Sequence, residues 1–216
     1  MTTGPSRRIG AADSKSRAQL VEAAEQLLLD EGYAAVTSRR VAAKAGLKPQ
    51  LVHYYFRTMD DLFVEVLRRR AEENLVRFER VVAADGSLRS LWQLSLDRRG
   101  AAFSIEFAAL ANHRKAIRTE IALYAERFRA LQLEALATAL AVDGVPEREM
   151  PPIVALLMMT GLAQVLSIEQ ALGVTAGHEA TTSFVDRLIG RLEPATSSEV
   201  VAGREPASPG DAQLSL

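Results

Sequence analysis

The 216-residue chain has no cysteine, which excludes disulfides, thiolate catalysis and cysteine-ligated zinc. Aromatic residues make up only 6% of it, while alanine and leucine abound, a balance that favours helices over strands. A membrane-spanning run is also missing. The most apolar segment, residues 153–168, is interrupted by Thr160, Gly161, Gln164 and Ser167 and falls short of the ~20 residues a span needs. Arg7 and Arg8 are followed by no apolar stretch, so no secretory signal is expected and a cytoplasmic protein is the default. No nucleophile elbow, glycine-rich phosphate loop or other catalytic signature occurs. The three histidines, His53, His113 and His178, have no carboxylate at ligand spacing. An enzyme, a metal site and a cofactor are therefore not expected.

What is present begins with a charge asymmetry beneath the net charge of −1. Residues 1–57 carry nine Lys/Arg against five Asp/Glu, a balance of +4, and the remainder carries −5. A basic first quarter on an acidic body points to an anionic partner for the N-terminus.

Periodicity organises the rest. Residues 1–13 read as a flexible arm. From Ser14, residues Leu20, Val21, Ala24, Leu27 and Leu28 share one helical face, with Glu22, Glu25, Gln26 and Asp30 opposite, and Gly32 is a natural stop. Thr37 or Ser38 suits the N-cap of a short helix carrying Val41, Ala42 and Ala45, which Gly46 ends. Lys48-Pro49 opens another, because proline fits a first helical turn. It directs Leu47, Leu51 and Val52 inward and Lys48, Gln50, His53 and Tyr54 outward. Thr58, with Asp60 and Asp61 behind it, starts a long helix to about residue 83. Further helices are predicted over about 87–97, 100–112, 114–141, 151–172 and 176–192, with a linker before 151. After Pro194 no core pattern remains, so a disordered tail is expected over 194–216.

Two short helices meeting at a glycine, braced by a preceding helix, make a helix-turn-helix, whose second helix enters the major groove. Gln50 near its start has the chemistry to bond adenine bidentately, and Lys48 to reach guanine or phosphate. Thr37, Ser38 and Arg39 sit at a helix N-terminus where amides, hydroxyls and a guanidinium meet phosphate. Pro49, His53, Tyr54 and Arg57 complete the DNA-binding set. The all-α chain then divides into the arm at 1–13, a helix-turn-helix domain at 14–60, a helical body at 61–193 and the tail.

The stretch "VTSRRVAAKAGLKPQLVHYYFRTMDDLF" resembles the DNA-binding region of the TetR/AcrR transcriptional regulators. Thr37, Ala45-Gly46, Phe56 and Leu62 stand where that family has its threonine, Ala-Gly turn, phenylalanine and following leucine. Two positions depart: His53 replaces a usual tyrosine, and Met59 replaces a common phosphate-contacting lysine. The resemblance implies a nine-helix homodimer that binds an operator as double-stranded DNA and holds a small effector in its C-terminal helices. Candidate effector liners are then Trp92, Phe103, Phe107, His113, Tyr124, Phe128, Met158 and Met159, which together imply an apolar effector. Helices 151–172 and 176–192 are the implied dimer pair, with Gly161 and Ala163 allowing close approach. A repressor is the first expectation. An activating regulator of the same kind, or a helical ligand-binding or adaptor protein without DNA function, stays open.

Overall fold

The computed structural model describes residues 6–193, with side chains from Lys15 onward except at 98 and 99. Nine α-helices, and no strand, occur among the described residues: α1 (Ser6–Glu31), α2 (Ser38–Lys44), α3 (Pro49–Tyr55), α4 (Met59–Ala84), α5 (Leu88–Ser95), α6 (Arg98–His113), α7 (Lys115–Val142), α8 (Pro152–Ala171) and α9 (His178–Leu192). A 3-10 turn at Tyr33–Ala35 joins α1 to α2. The helix opens at Ser6, so the backbone expected to be a free arm over 1–13 is helical from that residue. Its alanines and basic residues propagate a helix well, no proline interrupts it, and Gly10 is tolerated within it. Residues 1–5 and the expected tail at 194–216 lie outside the described residues.

Two apolar cores organise these helices. The first gathers Leu20, Leu28, Val41, Ala42, Val52 and Phe56 from α1 to α3 and the residue after it. It also takes Leu62, Phe63, Val66 and Leu67 from α4, and Phe103, Phe107, Leu110 and Ile117 from α6 and α7. The second joins Phe78 of α4 to α5, the C-terminal half of α7, α8 and α9, around Trp92. The long helix α4 thus belongs to both cores, and the N-terminal head shares a packed seam with the body.

Polar contacts reinforce that seam. The Tyr33 amide donates to Glu106 Oε2 of α6 at 2.9 Å. Asp60 at the start of α4 accepts from Arg114, whose guanidinium lies 5.6 Å over the Phe63 ring. Glu25, expected on the solvent face of α1, is nearly buried and stands 3.9 Å from Arg70 of α4.

The entry of α4 is set by a capping box. Thr58 Oγ1 accepts from the Asp61 amide at 3.1 Å, and Asp61 Oδ2 accepts from the Thr58 amide at 3.0 Å. Thr58→Ala is expected to lower stability by about 1 kcal/mol, read as a lower urea midpoint at unchanged slope. No loss would mean that the seam, not the cap, holds that end of the helix.

The outer side of the body is unusually apolar. Leu157 and Met158 are 53% and 55% exposed on α8, beside exposed Val154, Val165 and Ile168, with Phe184 exposed on α9. By length and composition α8 reaches what a membrane crossing needs, although the run of apolar residues read from the sequence is shorter. Ala163, expected to face outward for close approach, is buried in the body core, whereas Gly161 of the same helix is exposed.

Candidate nucleic-acid interface and internal cavity

Local chemistry explains the α2–α3 unit. Thr37, in an extended conformation, caps α2 by accepting from the Arg40 amide at 3.3 Å. At the other end Gly46 adopts φ +67°, and the Leu47 amide donates back to the Ala42 carbonyl at 2.9 Å. A Cβ at Gly46 would meet nothing within 4 Å, so the left-handed backbone, not space, calls for glycine. Val41 and Ala42 are fully buried, and Val52 of α3 packs in the same core. Lys48 is extended and Pro49 begins α3. The Phe56 amide closes α3 on the Val52 carbonyl at 2.8 Å, and the buried Phe56 ring lies under the Arg17 guanidinium at 5.4 Å. Arg17 also donates to Glu65 Oε1 at 2.7 Å, and that bond holds the Glu65 carboxyl below its usual range.

The residues expected to meet DNA point to solvent. Thr37, Arg39, Lys48, Pro49, Gln50, His53, Tyr54 and Arg57 are all exposed, and Ser38 is half-buried beside them. Tyr54 is 70% exposed and steadied by an edge-on contact to Tyr55, ring centroids 4.9 Å apart. Two nearby cations are spoken for: Arg40 bonds both oxygens of Glu31 at 2.6 and 2.7 Å, and Lys44 pairs with Asp30 at 3.3 Å. Arg39, Lys48 and Arg57 have no carboxylate within ion-pair distance among the described residues. Met59 is partly buried against the head core, so the position where the resemblance expects a lysine serves packing instead.

A cavity of about 270 Å³ lies in the body between α4, α5, α6, α7 and α8. Of the eight expected liners, Phe103, Tyr124, Phe128 and Met159 border it. The other four do not. Trp92 and Phe107 are 1% and 2% exposed and packed solidly into the two cores. Met158 faces outward on α8, and His113 is exposed at the end of α6. Helical spacing cannot distinguish a ring that fills a core, as Trp92 and Phe107 do, from one that borders a void.

The wall has an aromatic side and a polar side. Tyr124 and Phe128 stack at 5.6 Å, and Phe78 meets Phe128 edge-on at 5.2 Å. Asn74 Nδ2 donates to the Tyr124 hydroxyl oxygen at 2.6 Å, and burial pushes that phenol's pKa up. Arg70, Asp97, Gln132, Thr160 and Gln164 also line the cavity. Asp97 is bound by the Arg77 guanidinium. Sequence reading missed Arg70 and Asn74. Their signal was available: they interrupt the stripe Leu67, Ala71, Phe78 on the buried side of α4 at helical spacing.

Residues 20–66 match the family model described as bacterial regulatory proteins, tetR family. No curated protein matches the sequence significantly. Solved structures share the fold. A transcriptional regulator from Rhodococcus sp. Rha1 is 24% identical, with 82% of this chain and 95% of that chain covered and a TM-score of 0.62. A regulator from Saccharomonospora viridis, solved in complex with choline, is 20% identical over 83% and 94%, with a TM-score of 0.65. A TetR transcription regulator from Haloarcula marismortui is 19% identical over 83% and 98%, with a TM-score of 0.63.

Proposed function

We propose that the chain is a TetR-type DNA-binding transcriptional regulator, a reading supported by the match of residues 20–66 to that family's model and by the fold it shares with solved regulators. It acts as a homodimer that represses by occupying a near-palindromic operator and leaves it when a small, largely apolar effector fills the cavity. The single observation that carries this reading is the outward face of α2 and α3. There Gln50 stands near the start of a helix flanked by three cations without carboxylate partners, Arg39, Lys48 and Arg57. In that arrangement the cations and the α2 N-terminus hold phosphates, and Gln50 reads a base edge. Tyr54 adds a hydroxyl, and His53 a polar edge, at the same groove.

Support for the dimer comes from the exposed apolar residues of α8 and α9. A patch built on Leu157, Met158, Val165 and Phe184 is costly in water and is covered when a second copy packs on it. Two-fold symmetry then sets the recognition helices about one DNA turn apart. Support for an effector comes from the cavity itself, and from a similar fold in Saccharomonospora viridis having been solved with choline. Because α4 runs through both cores, an effector that prefers one seating of α4 shifts the population of head spacings. A coupling of about 1–3 kcal/mol is the usual scale for such an effect.

Selection of bound duplexes from a random pool tests the reading. The native protein is expected to enrich two inverted half-sites, and Gln50→Ala to lose preference at one position in each, at a cost of about 1–3 kcal/mol. Enrichment of single, unpaired sites would remove the dimer. No enrichment at all would remove the DNA-reading role and leave a ligand-binding protein.

A further inference from the structure

Resting on the reading of the cavity as the effector site, we propose that the effector is a small carboxylic acid with an apolar body, and that Arg70 both binds its head group and transmits its arrival to the head. Four observations converge on Arg70. It lines the cavity from α4. Its guanidinium stands 6.0 Å over the Phe103 ring. Its carboxylate neighbours are Glu25 of α1 at 3.9 Å and Glu73 of its own helix at 3.8 Å. Both separations are too long for hydrogen bonds, so this cation is held loosely on two sides.

A carboxylate entering the cavity offers Arg70 what neither glutamate gives, short charge-assisted bonds in bidentate geometry. The Tyr124 hydroxyl accepts from Asn74, so its own proton remains to donate to the same head group. Behind that head, Phe103, Phe128, Tyr124 and Met159 supply apolar wall for the body of the ligand. A cationic effector fits less well. The only carboxylate lining the cavity among the described residues, Asp97, is engaged by Arg77, and Arg70 already covers the Phe103 face that an ammonium would use. The volume of about 270 Å³ suits a small acid.

The relay follows from where Glu25 sits. It lies on α1 beneath the DNA-reading unit and is nearly buried. When Arg70 turns to the ligand, Glu25 keeps its coupling to Arg69 but loses the attraction of Arg70, and the preferred seat of α1 on α4 changes. Acid binding and the Glu25 contact therefore compete for one guanidinium.

Calorimetry on the full chain with three probes of one shape tests this: 4-phenylbutyrate, 4-phenylbutanol and 4-phenylbutyl-trimethylammonium. The acid is expected to bind about tenfold or more tightly than the alcohol, and the ammonium least. Arg70→Gln brings the acid down to the alcohol's level and leaves the alcohol unchanged, whereas Arg70→Lys keeps part of the preference. Glu25→Gln, which preserves shape and burial, tightens acid binding while shrinking the acid's effect on DNA retention. Equal binding of acid and alcohol, tighter binding of the ammonium, an Arg70→Gln protein that still prefers the acid, or no binding of any probe each overturns the proposal. DNA binding without probe binding would sink this inference alone. Acid binding through Arg70 in a protein that binds no DNA would sink the regulator reading alone.

Discussion

Leu157→Glu is expected to yield a folded monomer whose affinity for a duplex carrying two half-sites is lower by about a hundredfold or more. In a single chain Leu157 is 53% exposed, so a glutamate there meets water and costs the monomer little. At a two-fold interface through α8 the same carboxylate is buried against apolar side chains, twice over and without a cation. Breaking or burying such a charge costs several kcal/mol, which exceeds what one apolar contact returns. Once the dimer is lost, the second head no longer binds as an intramolecular event, and its gain in effective concentration vanishes. Sedimentation of the purified variant gives the mass, and a titration with intact and half-site duplexes gives the ratio. A native protein that already sediments as a monomer would refute the interface. So would a Leu157→Glu protein that stays dimeric.

Phe107→Ala is expected to cost about 3–5 kcal/mol of stability, the range for emptying a large buried ring. Phe107 is 2% exposed, lies 4.4 Å from Phe103 and meets Phe63 edge-on at 6.5 Å. It sits in the core shared by the head and the start of α4, so the cavity it leaves opens at the seam. Because Phe107 does not border the cavity, probe binding there by the remaining folded protein is expected to change far less than stability does. Chemical denaturation followed by helical circular dichroism measures the loss. A cost under about 1 kcal/mol would mean that head and body do not pack as one core here.

The helix-turn-helix was legible because its determinants are local. Thr37 as a cap, Gly46 at positive φ and Pro49 at a first turn are each dictated by backbone chemistry within a few residues, and all three stand as the sequence predicts. The start of α4 was legible for the same reason, through Thr58 and Asp61. What was not legible depends on partners far along the chain. Glu25 looked solvent-facing from the pattern of its own helix, and its burial goes with cations on α4, Arg70 and Arg69, that the pattern does not show. Ala163 looked like an interface residue, yet α8 turns it into the body core. Among the aromatics, Phe103 and Phe128 border the cavity while Trp92 and Phe107 fill cores, a difference that arises from how five helices converge and not from residue type. The polar side of the cavity was only half legible. Arg70 and Asn74 interrupt the buried stripe of α4, which marks their face, but that they border a cavity depends on how α6 and α7 pack there.

The proposed DNA interface is the face of α2 and α3, whose unpaired cations hold phosphates while Gln50 reads a base edge. Titration of the DNA immediately upstream of the protein's own gene, repeated from about 50 to 200 mM salt, tests it most directly. Affinity is expected to fall steeply with salt for the native protein. Lys48→Ala or Arg57→Ala should flatten the dependence by about one unit of slope each, whereas Gln50→Ala should weaken binding without changing the slope. Binding that ignores salt, or slopes that these substitutions leave untouched, would place any DNA contact elsewhere and contradict the interface assigned to α2 and α3.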